Sequence, residues 1–79
     1  MEKDLVDKYG LLQQMLIDAR LQAGLKQADV AAQLGKPQSY VSKIERGERG
    51  MDVIEFLEIA QAIGFEPLAF LDEFIKRFA

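Results

Sequence analysis

Cysteine, histidine and tryptophan are absent from this chain of 79 residues, and proline occurs only twice. Without cysteine there is no disulfide scaffold, no thiolate metal site and no cysteine nucleophile. Without histidine the commonest general base and the commonest metal ligand are missing as well. No apolar run approaches the ~18–20 residues of a membrane span. The longest, between Pro67 and Asp72, is four residues. The segment Met1-Glu2-Lys3-Asp4 is mixed in charge and leads into no apolar stretch of signal-peptide type. Low-complexity segments, Ser/Pro linkers and internal repeats are lacking too. The expectation is a single domain, 1–79, in the cytoplasm, with no cofactor, no metal and no membrane partner. Carboxylates are plentiful, but none is paired on an apolar face, and no enzyme is expected.

What is present is helical spacing cut by glycine. Gly10, Gly24, Gly35, Gly47, Gly50 and Gly64, with Pro37 and Pro67, divide the chain into short pieces. Leu12, Leu16, Ala19 and Ala23 share one face of a first helix that Gly24 closes. Whether the segment from Glu2 to Gly10, with Leu5, Val6 and Tyr9, extends that helix or forms a separate turn stays open. Ala28 to Leu34 reads as a second helix, with Val30, Ala31 and Leu34 inward and Gly35 as its stop. Pro37 suits the first turn of a third helix, which runs to about Arg46 with Val41 and Ile44 inward. Asp52 with Glu55 forms a capping box for a fourth helix, with Val53, Phe56, Leu57, Ala60 and Ile63 inward and Gly64 as its end. Pro67 opens a fifth helix over about 67–78. Nothing alternates with strand period, so the fold class is all-α, a compact five-helix bundle.

Residues 27–46 read QADVAAQLGKPQSYVSKIER. Ala31 is small at the fifth position, Gly35 sits at the ninth, and Val30, Leu34, Val41 and Ile44 supply apolar positions around them. Two helices crossing at roughly 90–120° through a tight turn need this pattern. The stretch resembles the helix-turn-helix of the bacteriophage repressor and Cro-like (XRE) family of transcription regulators. Leu16, Arg20, Gly24 and Leu25 before it, Glu45 to Arg49 at its end, and Leu57, Ile59, Ala60, Ile63, Gly64 and Phe65 after it extend the resemblance over roughly residues 12 to 71. Two positions depart from the family pattern. Lys26 and Pro37 stand where Ser or Thr often caps the second and third helices, weakening each cap by about 1 kcal/mol.

The resemblance implies roles for particular residues. Arg20 and Glu45 would form a buried ion pair that fixes the angle of the third helix. That helix would enter the major groove, with Gln38, Ser39 and Lys43 touching bases. Gln27 would bind a phosphate at its helix N-terminus and steady Gln38. Lys36, Ser42, Arg46 and Arg49 would hold phosphates and so set the register of the domain. Tyr40 has two readings, a contact to the sugar-phosphate backbone or a cover over Leu25 and Lys26.

In the fifth helix Phe70, Phe74 and Phe78 recur at i, i+4 and i+8, beside Leu71 and Ile75. One short helix with so many large apolar residues points to an interface. The expectation is an isologous homodimer through this helix, with the fourth as a candidate second element, that places two third helices one DNA turn apart on a palindromic operator. The function expected is a sequence-specific DNA-binding regulator, a repressor or autoregulator. The alternative is an antitoxin or another interaction module whose main role is to hold a partner protein. Neither reading includes a small-molecule ligand.

The charge balance first argues against DNA, since 10 basic and 13 acidic residues give a net −3 and a pI near 4.8. The distribution reverses that reading. Residues 1–19 carry −2, residues 20–50 carry +3 and residues 51–79 carry −4. A bipolar molecule of this kind orients itself on a duplex.

Overall fold

The structure is a computed structural model that describes residues 2–78, with the side chains of residues 8–78. Five helices follow one another: α1 (Glu2–Gln22), α2 (Gln27–Leu34), α3 (Gln38–Glu45), α4 (Val53–Ile63) and α5 (Pro67–Phe78). No strand occurs among the described residues. α1 runs unbroken through Gly10, whose missing Cβ faces open space, so the glycine costs only its intrinsic ~1 kcal/mol in helix propensity. The segment from Glu2 thus extends the first helix. The side chains of Leu5 and Val6 lie outside the described residues.

The core gathers Met15 and Leu16 of α1, Val30 and Ala31 of α2, Val41 and Ile44 of α3, Phe56, Ile59, Ala60 and Ile63 of α4, and Phe70 of α5. Ala31 at 2% exposure is the small residue that lets α2 and α3 approach each other. In α1 the buried stripe is centred on Met15 and Leu16, while Leu12 and Ala19 are half-buried, and Ala23, just past the end of the helix, is exposed. α4 corrects the expected face in the same way. Its buried residues step from Phe56 through Ile59 and Ala60 to Ile63, and both Val53 and Leu57 point to solvent. Val53 sits in the first turn, beyond the edge of the core.

The ends of the helices follow local chemistry. Asp52 Oδ1 accepts from the Glu55 backbone N–H at 2.7 Å, and the Asp52 N–H donates back to Glu55 at 2.9 Å. At α2 the Lys26 side chain gives no cap. Its backbone N–H donates instead to Asp29 Oδ2 at 2.8 Å. Pro37 is the residue before α3 rather than its first, and its ring offers no capping group. Glu66 caps α5, accepting from the N–H groups of Leu68 and Ala69 at 2.6 and 3.0 Å. Gly35 closes α2 at φ +66°, a left-handed value that side chains resist.

Candidate nucleic-acid interface

The turn at Gly35 sends α3 across α2. Two features hold the turn: the Lys36 N–H donates to Ala31 O at 3.0 Å, and Pro37 is extended at ψ 155°. With Val41 and Ile44 buried, helical geometry leaves Gln38, Ser39 and Lys43 exposed on the outer face, with Ser42 half-buried at its margin.

Glu45 points the other way, into the interior. Its carboxylate takes Arg20 Nε on Oε2 at 2.7 Å and Arg20 Nη2 on Oε1 at 3.0 Å, a two-pronged pair between α1 and α3. A third guanidinium nitrogen, Nη1, donates to Leu25 O at 3.0 Å. Gln27 Nε2 also donates to Glu45 Oε1, at 2.9 Å. A carboxylate only accepts, so Gln27 must turn its NH2 towards Glu45 and its carbonyl outward. That carbonyl accepts from Gln38 Nε2 at 3.4 Å. A chain of polar contacts therefore runs from the buried Arg20 to the exposed start of α3. No buried side-chain nitrogen or oxygen among the described residues lacks a partner.

The cations around α3 fall into two groups. Lys36 and Lys43 are exposed and enter no ion pair among the described residues. Lys36 Nζ lies 5.3 Å from the centre of the Tyr40 ring. Arg46 pairs with Glu48 at 2.7 Å, and Arg49 pairs with Glu55 at 2.7 Å while stacking over Tyr40 at 4.6 Å. The hydrogen bond from Arg49, and then that from the Asp52 N–H, hold the Glu55 carboxyl down at about 2. Burial, and next the Glu55 charge, push the Tyr40 hydroxyl above its usual value. Tyr40 thus sits half-buried in a cluster with Lys36, Arg49 and Glu55.

Sequence reasoning misses the carboxylate partners of both arginines. Glu55 is visible as a capping residue, but its reach back to Arg49 depends on the path of the loop. Gln13, whose side chain covers Gly47, is missed as well. A Cβ on that glycine would stand 2.5 Å from Gln13 Nε2.

The residues expected at a dimer seam divide. Phe70 does not belong there. It is buried in the core of a single copy, stacked on Phe65 at 4.7 Å between centroids and tilted against Phe56 at 5.5 Å. Phe74 is half-buried against the core, and Phe78 meets it edge-on at 4.8 Å, beneath Lys8. The aromatic stripe thus runs from the buried Phe70 through the half-buried Phe74 to the exposed Phe78. Leu68, Leu71 and Ile75 are exposed on α5 as well, and Val53, Ile54 and Leu57 are exposed on α4.

A helix-turn-helix family model matches residues 16–71. An uncharacterised HTH-type transcriptional regulator, y4dJ, from Sinorhizobium fredii (strain NBRC 101917 / NGR234) is 47% identical over 45 residues, 57% of this chain. The match spans 58% of the length of that relative. An XRE-family-like protein from Pseudomonas syringae pv. tomato str. DC3000 superposes with a TM-score of 0.92 at 41% identity, over 96% of this chain and 93% of the other. The restriction-modification controller protein C.Esp1396I, solved as a tetramer with its natural 35-base-pair operator, shares the fold. Its TM-score is 0.79 at 22% identity, over 90% of this chain and 93% of its own. Together with the crossing of α2 and α3 and the buried Arg20–Glu45 pair, these likenesses identify the chain as a member of the XRE-type helix-turn-helix family of DNA-binding transcription regulators.

Proposed function

We propose that this chain is a sequence-specific DNA-binding regulator, a repressor or autoregulator, that reads a palindromic operator as a dimer. The observation that carries this reading is the polar chain Arg20–Glu45–Gln27–Gln38, which ties an exposed side chain at the start of α3 to a buried anchor. Holding a base-reading group in place before binding lowers the ordering cost of the contact. In this reading Gln38, Ser39 and Lys43 contact bases, Gln38 suiting adenine and Lys43 guanine. Gln27, Lys36, Ser42, Arg46 and Arg49 face the phosphates, and each arginine reaches one only by giving up its carboxylate partner.

Leu71, Ile75 and Phe78 supply the seam between subunits, with Phe74 at its edge and Val53, Ile54 and Leu57 of α4 alongside. Two α3 helices would then stand one turn of DNA apart, about 34 Å.

The exposed face of α5 equally suits a protein partner, as in an antitoxin, and the double substitution Gln38→Ala with Lys43→Ala separates the two roles. It should abolish operator binding and leave a complex formed through α5 intact. The direct experiment is selection from random duplexes at two salt concentrations. Enrichment of a palindrome supports the proposal, and retention of duplexes without enrichment of any sequence removes specific readout.

A further inference from the structure

Arg46 and Arg49 follow α3 on the face proposed to meet DNA, and both are already paired with carboxylates. They are held very differently. Arg46 Nε and Nη2 grip Glu48 at 2.7 and 3.3 Å, across a single intervening residue. Both side chains are more than half exposed, at 56% and 55%, and neither makes another side-chain hydrogen bond among the described residues. Arg49 grips Glu55 at 2.7 and 3.3 Å, donates to Gly50 O at 2.8 Å and stacks on Tyr40. Glu55 is held in turn by the Asp52 N–H in the cap of α4. Opening the Arg49 pair would disturb that cap. Opening the Arg46 pair disturbs nothing else.

We propose that Glu48 is an internal competitor for the DNA phosphate that Arg46 would otherwise hold, a positioning residue that withholds one cation per subunit from the duplex. This rests on the DNA-binding reading above. A cation that reaches the duplex free displaces a condensed counterion, and each such contact adds roughly 0.9 to the fall of log K with log salt. A cation that arrives inside an ion pair brings its own anion. If the pair stays closed, the phosphate keeps its counterion. If it opens, an unpaired carboxylate is left beside the phosphates. Either way Arg46 yields far less counterion release than a free arginine. Arg20 is committed to Glu45 and Arg49 to Glu55. Among the described residues 20–50, this leaves Lys26, Lys36 and Lys43 as cations outside any ion pair. The cations of this segment left free for phosphates are therefore lysines, and Glu48 sets how much Arg46 adds to them.

The test measures binding of the full chain to a fluorescein-labelled duplex of random sequence by anisotropy, over a salt series from about 50 to 200 mM. Glu48→Gln should tighten binding at low salt and steepen the slope by about 0.9 per bound subunit. The same substitution in an Arg46→Ala background should leave the slope unchanged. Asp18→Asn removes an equal charge from the exposed face of α1 and should also leave it unchanged. Thermal melts of each variant check that the fold is kept. A Glu48→Gln slope equal to that of the parent overturns the proposal, as does an equal steepening without Arg46. If the parent binds no duplex at any salt, the DNA reading itself falls, and this inference with it.

Discussion

Glu45 and Arg20, twenty-five residues apart in sequence, meet through two hydrogen bonds of 2.7 and 3.0 Å in the interior of the bundle. Removing one member of a buried pair leaves the other charge without compensation, which costs about 3–5 kcal/mol. Glu45→Ala should therefore lower the unfolding free energy by that amount in urea titrations. Gln27→Ala removes one half-buried hydrogen bond to a carboxylate that Arg20 still holds and should cost less, about 1.5 kcal/mol, yet weaken operator binding by freeing Gln38. Equal losses of stability from the two substitutions would contradict the roles assigned to them.

Phe70 and Ile75 lie on the same helix and should fail in opposite ways. Phe70→Ala opens a hole beneath Phe56 and Phe65 and should cost about 3–5 kcal/mol. Ile75, at 54% exposure, has little to lose in a single copy. Ile75→Glu should keep full helicity by circular dichroism and shift sedimentation towards the monomer. A parent chain that sediments as a strict monomer at micromolar concentration would remove the dimer proposal outright.

Acid should release the Arg49–Glu55 clamp. The Glu55 carboxyl lies at about 2 in the fold against an ordinary 4.5, so folding favours its ionised form. That contribution is complete above about pH 4.5 and is lost as the pH falls towards 2. Melting temperatures of the parent and Glu55→Gln should differ at pH 7 and converge near pH 2. A gap of constant size across that range would show that the ionised carboxylate is not its source.

Gly47 combines two demands, a left-handed φ of +75° and a side chain packed over it. Gly47→Ala should cost about 1–2 kcal/mol for the backbone, with little more for the flexible end of Gln13 moving aside. Gly35 shares the conformation at φ +66°, but a Cβ added there would meet nothing within 4 Å, so Gly35→Ala should show only the backbone cost. The two variants should lose similar stability, as read by urea midpoints, and a much larger loss at Gly47 that Gln13→Ala relieves would show that Gln13 cannot move aside.

What is legible in the sequence is local. The capping box at Asp52 and Glu55, the stops at Gly35 and Gly64, and the inward Val30, Ala31, Val41 and Ile44 all depend on neighbours within a turn or two. Departures arise where the partner is distant. The α4 pattern allows two faces that differ by a small rotation, and only packing selects Ile59 over Leu57. Phe70 reads as surplus apolar area because its cover comes from Phe65 and Phe56, on other elements. Glu48 and Glu55 are ordinary acidic residues until the loop after α3 brings them onto Arg46 and Arg49. Family resemblance pairs Gln27 with Gln38, but the turning of the Gln27 amide by Glu45 follows only from the folded geometry.

The three rings of Phe56, Phe65 and Phe70 meet where α4, the α4–α5 connection and the start of α5 converge. They set the bearing on which α5 packs back towards α1. In the proposed dimer that bearing becomes a ruler, because the tilt of one α5 against another fixes how far apart the two α3 helices stand. A smaller ring at position 65 would swing the arm without touching any DNA-facing residue. The half-site spacing of the operator would then be encoded in aromatic packing on α4 and α5, and two regulators with identical α3 helices could part company over a single phenylalanine.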